Sequence, residues 1–316
     1  MLLERLMGRT NLSANQLERY ASTASRRYKV FEIDKRGTDE KRVIEQPSRE
    51  IKALQRWIVA AFIKGLPIHV AATAYKKGAS IRANAEFHRT TRYTVRLDFE
   101  KFFPSFHGGQ VEAFIGDAGL NLNEADLSFV RRILCRNDAL TIGAPSSPAL
   151  TNAMMYGFDH DLWAWCEERN LIYTRYADDI FISSYEANVL EGVCEKVSEL
   201  AGSFAYANLH LNRKKTTHLS RKYRRSITGL VVTPDEKVSI GRGRKRRLRS
   251  DIYRFMSPEN ESDPADRSRI AGMIAFAKDV EPDFYQRLIQ KYGEAAIMII
   301  LKGPYIREQD DLFDLG

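Results

Sequence analysis

The sequence predicts an α+β fold, in which an antiparallel sheet is backed by helices and followed by a helical C-terminal region. Three observations predict it. Residues 93–99 alternate between apolar and polar side chains, as half-buried strands do. Residues 171–184 form two short β-type runs around Asp178-Asp179, which is typical of a hairpin. After Pro234 the pattern becomes mostly helical and begins with a strongly basic run.

The N-terminal part predicts short helices followed by a strand pair and a longer helix. Residues 28–33 alternate like a strand, and an extended pattern resumes at residues 42–44 after a polar loop. Ser48 is predicted to cap a helix that runs to about residue 63, because apolar residues recur there at helical spacing.

The middle of the chain predicts further helices and strands. A helix begins at Asn123, and Ser147 is predicted to cap another, with Pro148 at its first position, that continues to about Asn170. Residues 187–200 are predicted as a helix, and residues 208–212 and 226–232 as strands.

Composition narrows the class of protein and its partners. A chain of 316 residues can form one large domain or a few small ones, and its net charge of +8 favours polyanionic partners such as nucleic acid. The three cysteines lack the spacing of a disulfide framework, the N-terminus does not resemble a signal peptide, and no apolar run reaches membrane-spanning length. We therefore expect a cytoplasmic protein with no membrane partner.

Three aspartates are the candidate catalytic residues. Asp98 lies on the polar face of the strand at residues 93–99, and Asp178 and Asp179 lie at the tip of the predicted hairpin. Nucleotidyl transfer uses two divalent ions, roughly 3.5–4 Å apart, and Mg²⁺ prefers carboxylate and phosphate oxygens. The three carboxylates converge if the hairpin pairs beside the Asp98 strand. Taken singly, each aspartate could equally be a solvated turn or surface residue.

Three motifs in order resemble those of reverse transcriptases. They are Tyr176-Ala177-Asp178-Asp179, the segment around Arg96-Leu97-Asp98-Phe99, and Gly143 to Asn152 between them. The resemblance implies a right-hand polymerase fold with fingers, palm and thumb, and RNA-templated DNA synthesis from deoxynucleoside triphosphates. It implies fingers at residues 1–92, a palm at 93–232 with a fingers insertion at about 107–140, and a basic helical thumb at 233–316.

The resemblance also assigns the metal site. Asp98 and Asp178 would be the main ligands of two Mg²⁺ ions, for which Mn²⁺ could substitute. Asp179 would complete the site with a smaller direct role, and the backbone carbonyl of Phe99 would face the metal.

Further positions would contact the incoming nucleotide. Phe103 would lie under the sugar and exclude a 2′-hydroxyl, although it could also be a core aromatic residue. Arg42 matches the arginine that grips the triphosphate, because a planar cation suits phosphate oxygens. Lys35 in the polar loop is a second candidate, or a solvated lysine.

Two other nucleotide positions follow from the same resemblance. Ile142 stands where many relatives carry a glutamine that lines the nucleotide pocket, so this chain departs from the common pattern there. Lys215 or Lys214 would assist pyrophosphate departure, unless this basic segment is only a surface turn.

A box running from Asn84 to His88 and the turn at Thr228-Gly229 resemble those of bacterial retron reverse transcriptases. The resemblance implies a cognate noncoding RNA, priming from one of its 2′-hydroxyls, a branched RNA–DNA product called msDNA, an effector protein and a role in phage defence. Asn84, His88, Thr228 and Gly229 would then contact RNA or primer. A lone histidine such as His88 is more often a helix-end or core residue.

The basic run supplies further candidate RNA contacts, because each cation that meets a phosphate adds to affinity. The alternative is a solvated basic helix. The candidates are Arg242, Arg244, Lys245 and Arg247.

Two rival functions remain open from the sequence. One is another bacterial reverse transcriptase, from a CRISPR-linked, diversity-generating or abortive-infection system. The other is a non-catalytic RNA-binding scaffold or antitoxin subunit that keeps the fold.

Overall fold

The computed structural model of the chain describes residues 2–34, 41–257 and 264–302. Their contacts divide them into two units. The larger unit takes Val95–His218 and the described residues up to Ala79, and the smaller takes Ser80–Thr94 and the described residues from Leu219 onward. Residues 80–94 therefore group with the C-terminal part. The proposed boundaries of fingers, palm and thumb remain a prediction.

The described helices and strands follow one another without long gaps. The helices are α1 (Leu2–Thr10), α2 (Ala14–Ser22), α3 (Arg49–Ile58), α4 (Ile81–Phe87), α5 (Gly108–Asp117), α6 (Glu124–Leu134), α7 (Ser147–Met154), α8 (Tyr156–Glu167), α9 (Val193–Ser203), α10 (Arg242–Phe255), α11 (Pro264–Val280), α12 (Pro282–Tyr292) and α13 (Glu294–Lys302). The strands are β1 (Tyr28–Asp34), β2 (Lys41–Pro47), β3 (Tyr93–Asp98), β4 (Ile172–Tyr176), β5 (Asp179–Ser184), β6 (Thr217–Ser220), β7 (Arg225–Ile227), β8 (Leu230–Val232) and β9 (Val238–Ser239). Within these described ranges, no helix is both long and apolar enough to span a membrane.

The predicted N-terminal elements are confirmed. The strands β1 and β2 pair antiparallel, with Tyr28 opposite Pro47. The helix α3 begins after Ser48, whose hydroxyl oxygen accepts a hydrogen bond from the Ile51 amide at 3.4 Å, and it continues as a π-helical turn at Val59–Ile63. Likewise α6 begins after Asn123, whose side chain accepts from the Asp126 amide at 2.8 Å.

A four-stranded sheet in the order β4-β5-β3-β6 carries the candidate site. The predicted hairpin is confirmed, since β4 and β5 pair antiparallel with Tyr176 opposite Asp179. One expectation about β3 is wrong. Thr94 and Asp98 are buried together with Val95 and Leu97, so both faces of the strand are covered and it is not half exposed.

The helix that follows the Gly143 loop differs from the prediction in two respects. Ser146, not Ser147, precedes the helix, because the Ser147 hydroxyl donates instead to the Thr141 carbonyl at 2.9 Å. The single long helix is two helices, since the backbone of Met155 leaves the helical conformation at ψ 1° and separates α7 from α8.

Three later predictions were only partly correct. The helix α9 begins at Val193, after Gly192 with φ +77°, and not at residue 187. The predicted strand at 208–212 is reduced to an isolated bridge between Leu211 and Phe99. The predicted strand at 226–232 is two strands, because a tight turn at Thr228-Gly229 folds β8 back onto β7.

Each unit has its own interior. Buried apolar side chains from α1 to α3, α5 to α9 and β3 to β5 form the core of the larger unit. In the smaller unit, α4 packs on the three-stranded sheet β7-β8-β9, and the helices α10 to α13 pack on one another. The expectation of a helical C-terminal region is confirmed over the described residues.

Candidate active site

Asp98 and Asp178 lie side by side at the centre of the larger unit. Asp98 ends β3, and the adjacent Phe99 amide donates a hydrogen bond to the Asp178 carbonyl at 3.2 Å. Burial raises the pKa of Asp178 above its usual value, and the neighbouring Asp98 charge raises it further. Two carboxylates that repel each other in a buried place form a natural cation site.

The third aspartate makes a different contact. Two nitrogens of the Arg96 guanidinium donate hydrogen bonds to Asp179, Nε to Oδ1 at 3.0 Å and Nη2 to Oδ1 and Oδ2 at 2.8 and 3.1 Å. Burial raises the pKa of Asp179 to about 6, even though Arg96 opposes that rise. Arg96 therefore orients Asp179, and the smaller direct role expected for this aspartate stays a prediction.

The residues present fit a divalent cation held jointly with a substrate. Within the described ranges, no three Asp, Glu, His or Cys side chains are arranged to ligate one ion. Asp98 and Asp178 offer two carboxylates, and Mg²⁺ commonly uses one or two carboxylates while phosphates and water complete its shell. The expected part of the Phe99 carbonyl stays a prediction.

Lys215 is the basic residue that reaches this site. Its ammonium group lies 2.8 Å from Asp98 Oδ2, and this hydrogen bond raises the pKa of Lys215. Lys214, the alternative candidate, is exposed in the same 3₁₀ turn. Both lysines are exposed, and the contact with Asp98 favours Lys215, whose part in pyrophosphate departure stays a prediction.

A buried polar network behind the hairpin was not found from the sequence. The side chains of Arg175 and Asp159 are both fully buried and form a double hydrogen bond, at 2.7 Å from Nε and 2.6 Å from Nη2. The Tyr173 hydroxyl donates to the same carboxylate at 2.7 Å. Arg175 Nη1 donates to the Ala177 carbonyl at 3.0 Å, so the network holds the turn that carries Asp178.

The same arginine is fixed from its other side. Asn152 accepts a weaker hydrogen bond from Arg175 Nη1 at 3.3 Å and donates to the Ala74 carbonyl at 2.8 Å. The Arg175 backbone pairs with Ala71 and Thr73. Ala177 has φ +57°, a conformation that non-glycine residues rarely adopt, so these bonds stabilise a strained turn.

The predicted nucleotide contacts that the structure describes all lie in the larger unit. Arg42 is exposed on β2, and its charge opposes the rise that burial causes in the pKa of Asp178, which indicates that the two side chains are near each other. Phe103 is half buried, with its ring centroid 5.5 Å from that of Phe102. The second candidate in the loop, Lys35, lies outside the described residues.

Ile142 and Gly143 join the loop before α7 to β2. The Ile142 carbonyl accepts a hydrogen bond from the Glu45 amide at 2.9 Å. Gly143 has φ +108°, and a Cβ there would meet the Glu45 carbonyl oxygen at 3.2 Å, so only glycine fits this close approach. The half-buried Ile142 side chain keeps its predicted place in the nucleotide pocket as an untested assignment.

Asn84 and His88 occupy a different environment from the one expected. Both side chains are fully buried in the smaller unit, where α4 packs on the β7-β8-β9 sheet. Burial lowers the pKa of His88 to about 3, so the ring is neutral. The expectation that these two residues contact RNA directly does not fit this placement, because neither side chain reaches the surface.

The turn at Thr228-Gly229 is exposed at its tip and held on both sides. Both residues have positive φ, at +45° and +76°, as the tightest hairpin turns require. The Thr228 hydroxyl donates to the Ile81 carbonyl at 2.8 Å, and Arg244 donates to the Gly229 carbonyl at 2.8 Å. A β-branched residue at positive φ is strained, which marks this turn as a constrained feature.

The basic helix α10 divides its cations between two environments. Lys245 forms an ion pair with Glu281 and lies 5.3 Å from the Phe284 ring centroid. The expectation that Lys245 contacts RNA is therefore not supported by its position. A cleft of about 640 Å³ is instead lined by Arg224, Arg244, Arg246, Arg247 and Arg254. Arg242 is exposed beside it.

Comparisons with known proteins agree with this geometry. The family described as "Reverse transcriptase (RNA-dependent DNA polymerase)" matches residues 33–232. The retron Ec83 reverse transcriptase of Escherichia coli is 36% identical over 284 residues, which cover 87% of this chain and 90% of that protein. The retron Ec86 reverse transcriptase of Escherichia coli is 31% identical over 293 residues, covering 90% and 88% of the two chains.

A solved structure shares the fold. Telomerase from Candida albicans, in complex with a TWJ fragment of telomeric RNA, superposes with a TM-score of 0.50 at 11% identity. The match covers 91% of this chain and 62% of that one. It shows the fold alone.

Fold and site together define a template-directed nucleic-acid polymerase of the right-hand type. The chain belongs to the reverse transcriptase family, among the bacterial retron enzymes, and it is an RNA-directed DNA polymerase. Membership implies that it acts on a nucleic-acid template and nucleotides with the help of a divalent metal ion.

Proposed function

We propose that this reverse transcriptase copies part of a cognate structured noncoding RNA into DNA, starting from a 2′-hydroxyl of that RNA. The product is branched msDNA, in which RNA and DNA remain covalently joined. The enzyme acts in the cytoplasm, together with an effector protein, in defence against phage. The observation that supports its catalytic part most directly is the meeting of Asp98 and Asp178, with Lys215 beside them.

The residues of the site have separate tasks in this reaction. Two Mg²⁺ ions, held by Asp98 and Asp178, would stabilise the attacking hydroxyl and the leaving pyrophosphate. Arg42 binds the triphosphate, and Phe103 occupies the space that a ribonucleotide 2′-hydroxyl would need. Lys215 donates a proton to the departing pyrophosphate. Ile142 lines the nucleotide pocket.

RNA recognition is assigned to the smaller unit. Arg242, Arg244 and Arg247 contact phosphates, because guanidinium groups bind phosphate oxygens with two parallel hydrogen bonds. The Thr228-Gly229 turn holds the primer end. Asn84 and His88 act from the interior by fixing α4, whose Ile81 carbonyl anchors that turn.

The test is to analyse the nucleic acid that co-purifies with the protein when it is expressed together with its flanking noncoding region. Wild type is expected to yield DNA that stays joined to RNA under denaturing conditions and separates from it after treatment with a 2′,5′-debranching enzyme. Asp178→Asn should yield RNA alone. Asp161→Asn, which alters an exposed aspartate on α8, is the control and should behave like wild type.

Other outcomes of this experiment would favour a different function. DNA synthesis without a branch would favour another class of bacterial reverse transcriptase. Bound RNA without DNA from the wild-type protein, together with no primer extension in Mg²⁺ or Mn²⁺, would favour a non-catalytic RNA-binding subunit.

A further inference from the structure

A second basic cleft lies in the larger unit, at the foot of the β1–β2 hairpin. It has a volume of about 530 Å³. Six of its ten lining residues are cationic, and none is acidic. We call it the N-terminal basic cleft, and its cationic residues are Arg26, Arg27, Lys29, Arg49, Lys52 and Arg56.

The fold brings these cations together from two separate segments. The Ser48 amide donates to the Arg27 carbonyl at 2.7 Å, directly before α3 begins. Tyr28 and Lys29 pair with Pro47 and Gln46 across the hairpin. The chain entering β1 therefore lies against the chain that leaves β2 for α3.

One face of the helix α3 carries three cations that line the cleft. Arg49, Lys52 and Arg56 are three and four residues apart, so they follow one face of the helix. A different face, with Gln55 at its centre, is buried. The Gln55 amide donates to the Tyr28 hydroxyl at 3.0 Å and to the Ile133 carbonyl at 2.9 Å, which fixes the rotation of the helix.

No carboxylate among the residues that line the cleft neutralises its positive charge. Over the part of the chain that the structure describes, no carboxylate forms an ion pair with any of its six cations, whereas Arg131, Arg132 and Arg136 of the same unit all have acidic partners. Glu50, beside Arg49, accepts a hydrogen bond from the Ser48 hydroxyl at 2.7 Å, and its charge attracts Arg27 and Arg49 without forming an ion pair, so one carboxylate offsets only part of the charge of six cations. Like charges gathered without counter-charges disfavour the folded state, and a bound anion removes that cost.

The side chains that line the cleft indicate which kind of anion it binds. Four of the six cations are arginines, whose flat, forked donor groups match phosphate oxygens. Of the two ring-bearing lining residues, Pro47 is buried and Tyr28 is half buried, so little apolar surface is offered to a lipid tail. A row of phosphodiesters from one RNA strand suits such a groove better than an isolated anion.

We propose that the N-terminal basic cleft binds the phosphate backbone of RNA, as a contact separate from the catalytic aspartates and from the arginines of α10. None of its lining residues belongs to either set. The RNA is either the template strand or a structured part of the cognate RNA, and both present the same phosphates. Naming RNA as the ligand rests on the proposed function.

The test compares two triple variants that each remove three positive charges from the larger unit. Arg49→Gln/Lys52→Gln/Arg56→Gln alters the cleft, and Arg9→Gln/Arg19→Gln/Lys64→Gln alters exposed cations outside it. Binding is measured as Kd against salt concentration, with a labelled DNA primer annealed to RNA templates with and without a long 5′ overhang. The RNA that co-purifies with the wild-type protein is the second probe.

The cleft variant should bind RNA about 10- to 50-fold more weakly near 0.15 M salt, and the slope of log K against log salt should fall by about 2, since each single-strand contact contributes roughly 0.7. Its kcat at saturating primer–template should match wild type. The control should change neither quantity comparably.

The two probes identify the source of the phosphates. A loss confined to templates with the overhang assigns the cleft to the template strand, and a loss confined to the co-purified RNA assigns it to the structured RNA. Wild-type affinity for both probes, or an equal loss in the control variant, would overturn the proposal. Because binding is measured without synthesis, this result stands apart from the debranching test of the proposed function.

Discussion

The buried pair of Arg175 and Asp159 gives the sharpest prediction about the site. Asp159→Asn removes a charge from a place where both side chains are inaccessible to water. Breaking one partner of such a pair costs about 3–5 kcal/mol, because the remaining charge is left uncompensated. In a unit of this size, where each kcal/mol lowers Tm by roughly 2–4 °C, Asp159→Asn should lower Tm by roughly 6–20 °C.

A double variant separates stability from positioning. Arg175→Met with Asp159→Leu removes both charges, and replacing a whole buried pair by apolar residues is often neutral for stability. Tm should therefore recover. Activity should not recover, because no guanidinium remains to donate to the Ala177 carbonyl and hold the turn that carries Asp178.

The expected loss of activity follows from that one hydrogen bond. A hydrogen bond from a charged donor contributes about 1.5–3 kcal/mol, which corresponds to about a 10- to 150-fold lower kcat if the turn is held only for the reacting geometry. The assay is single-nucleotide extension at saturating primer and dNTP, with KM measured alongside. If the double variant regains wild-type Tm and also wild-type kcat, Arg175 serves only to fill the core, and the positioning argument fails.

Three further predictions concern single side chains. Phe103→Val should admit ribonucleotides, because the smaller side chain leaves room for the 2′-hydroxyl. The ratio of rNTP to dNTP incorporation should rise by roughly 10- to 200-fold, the range expected for one small group in a tight pocket. Paired extension reactions with the two nucleotides measure this ratio. Lys215→Met should lower kcat by roughly 100-fold or more if this ammonium group supplies the proton to the leaving group, whereas Lys214→Met should retain activity. His88→Leu should flatten the dependence of stability on pH below about 6.5, which urea unfolding at several pH values measures.

The sign of the His88 effect follows from its lowered pKa. The unfolded chain takes up a proton near pH 6.5, but the folded chain resists protonation down to about pH 3. Stability is therefore fully present above pH 6.5 and declines as the pH falls, by about 2 kcal/mol between pH 7 and pH 5. His218→Leu, at an exposed histidine on β6, is the control and should keep the wild-type slope.

For each of the predictions about Phe103, Lys215 and His88, a different result would contradict the expectation. Unchanged sugar selectivity in Phe103→Val would place the gate elsewhere. Equal losses at Lys214 and Lys215 would indicate a general effect of charge. Parallel pH curves for wild type and His88→Leu would mean that the ring titrates normally in the folded chain.

The sequence identified the elements whose signals are local. The alternation before Asp98, the hairpin around Asp178 and the caps at Ser48 and Asn123 all depend on neighbouring residues. The break at Met155 was missed because the apolar spacing continues across it, and Gly157, two residues later, was read as part of one long helix. In retrospect, a charged residue within the otherwise buried strand β4 was a signal for a buried partner.

The features that the sequence did not predict depend on contacts between residues that are distant in the sequence. The partner of Arg175 lies 16 residues earlier on α8, and no local pattern connects the two. The resemblance to retron enzymes assigned Asn84 and His88 to RNA contacts, and a helix-end or core position was the alternative for His88. Their burial became visible only when α4 was placed against the sheet of the smaller unit.

The cations at the catalytic turn and the cations that line the two basic clefts differ in whether they have carboxylate partners, and we expect them to serve different functions. Around the catalytic turn, Arg175, Arg96 and Lys215 each have a carboxylate partner, and such pairing fixes geometry before any substrate arrives. In the two basic clefts, the lining arginines and lysines keep their charge available over the described residues, except for Arg254, which pairs with Asp251. Paired cations should therefore govern kcat with little dependence on salt, and unpaired ones should govern affinity with steep dependence on it. A cleft variant that lowers kcat at saturating RNA, or an Arg175 variant whose defect disappears at high salt, would contradict this division.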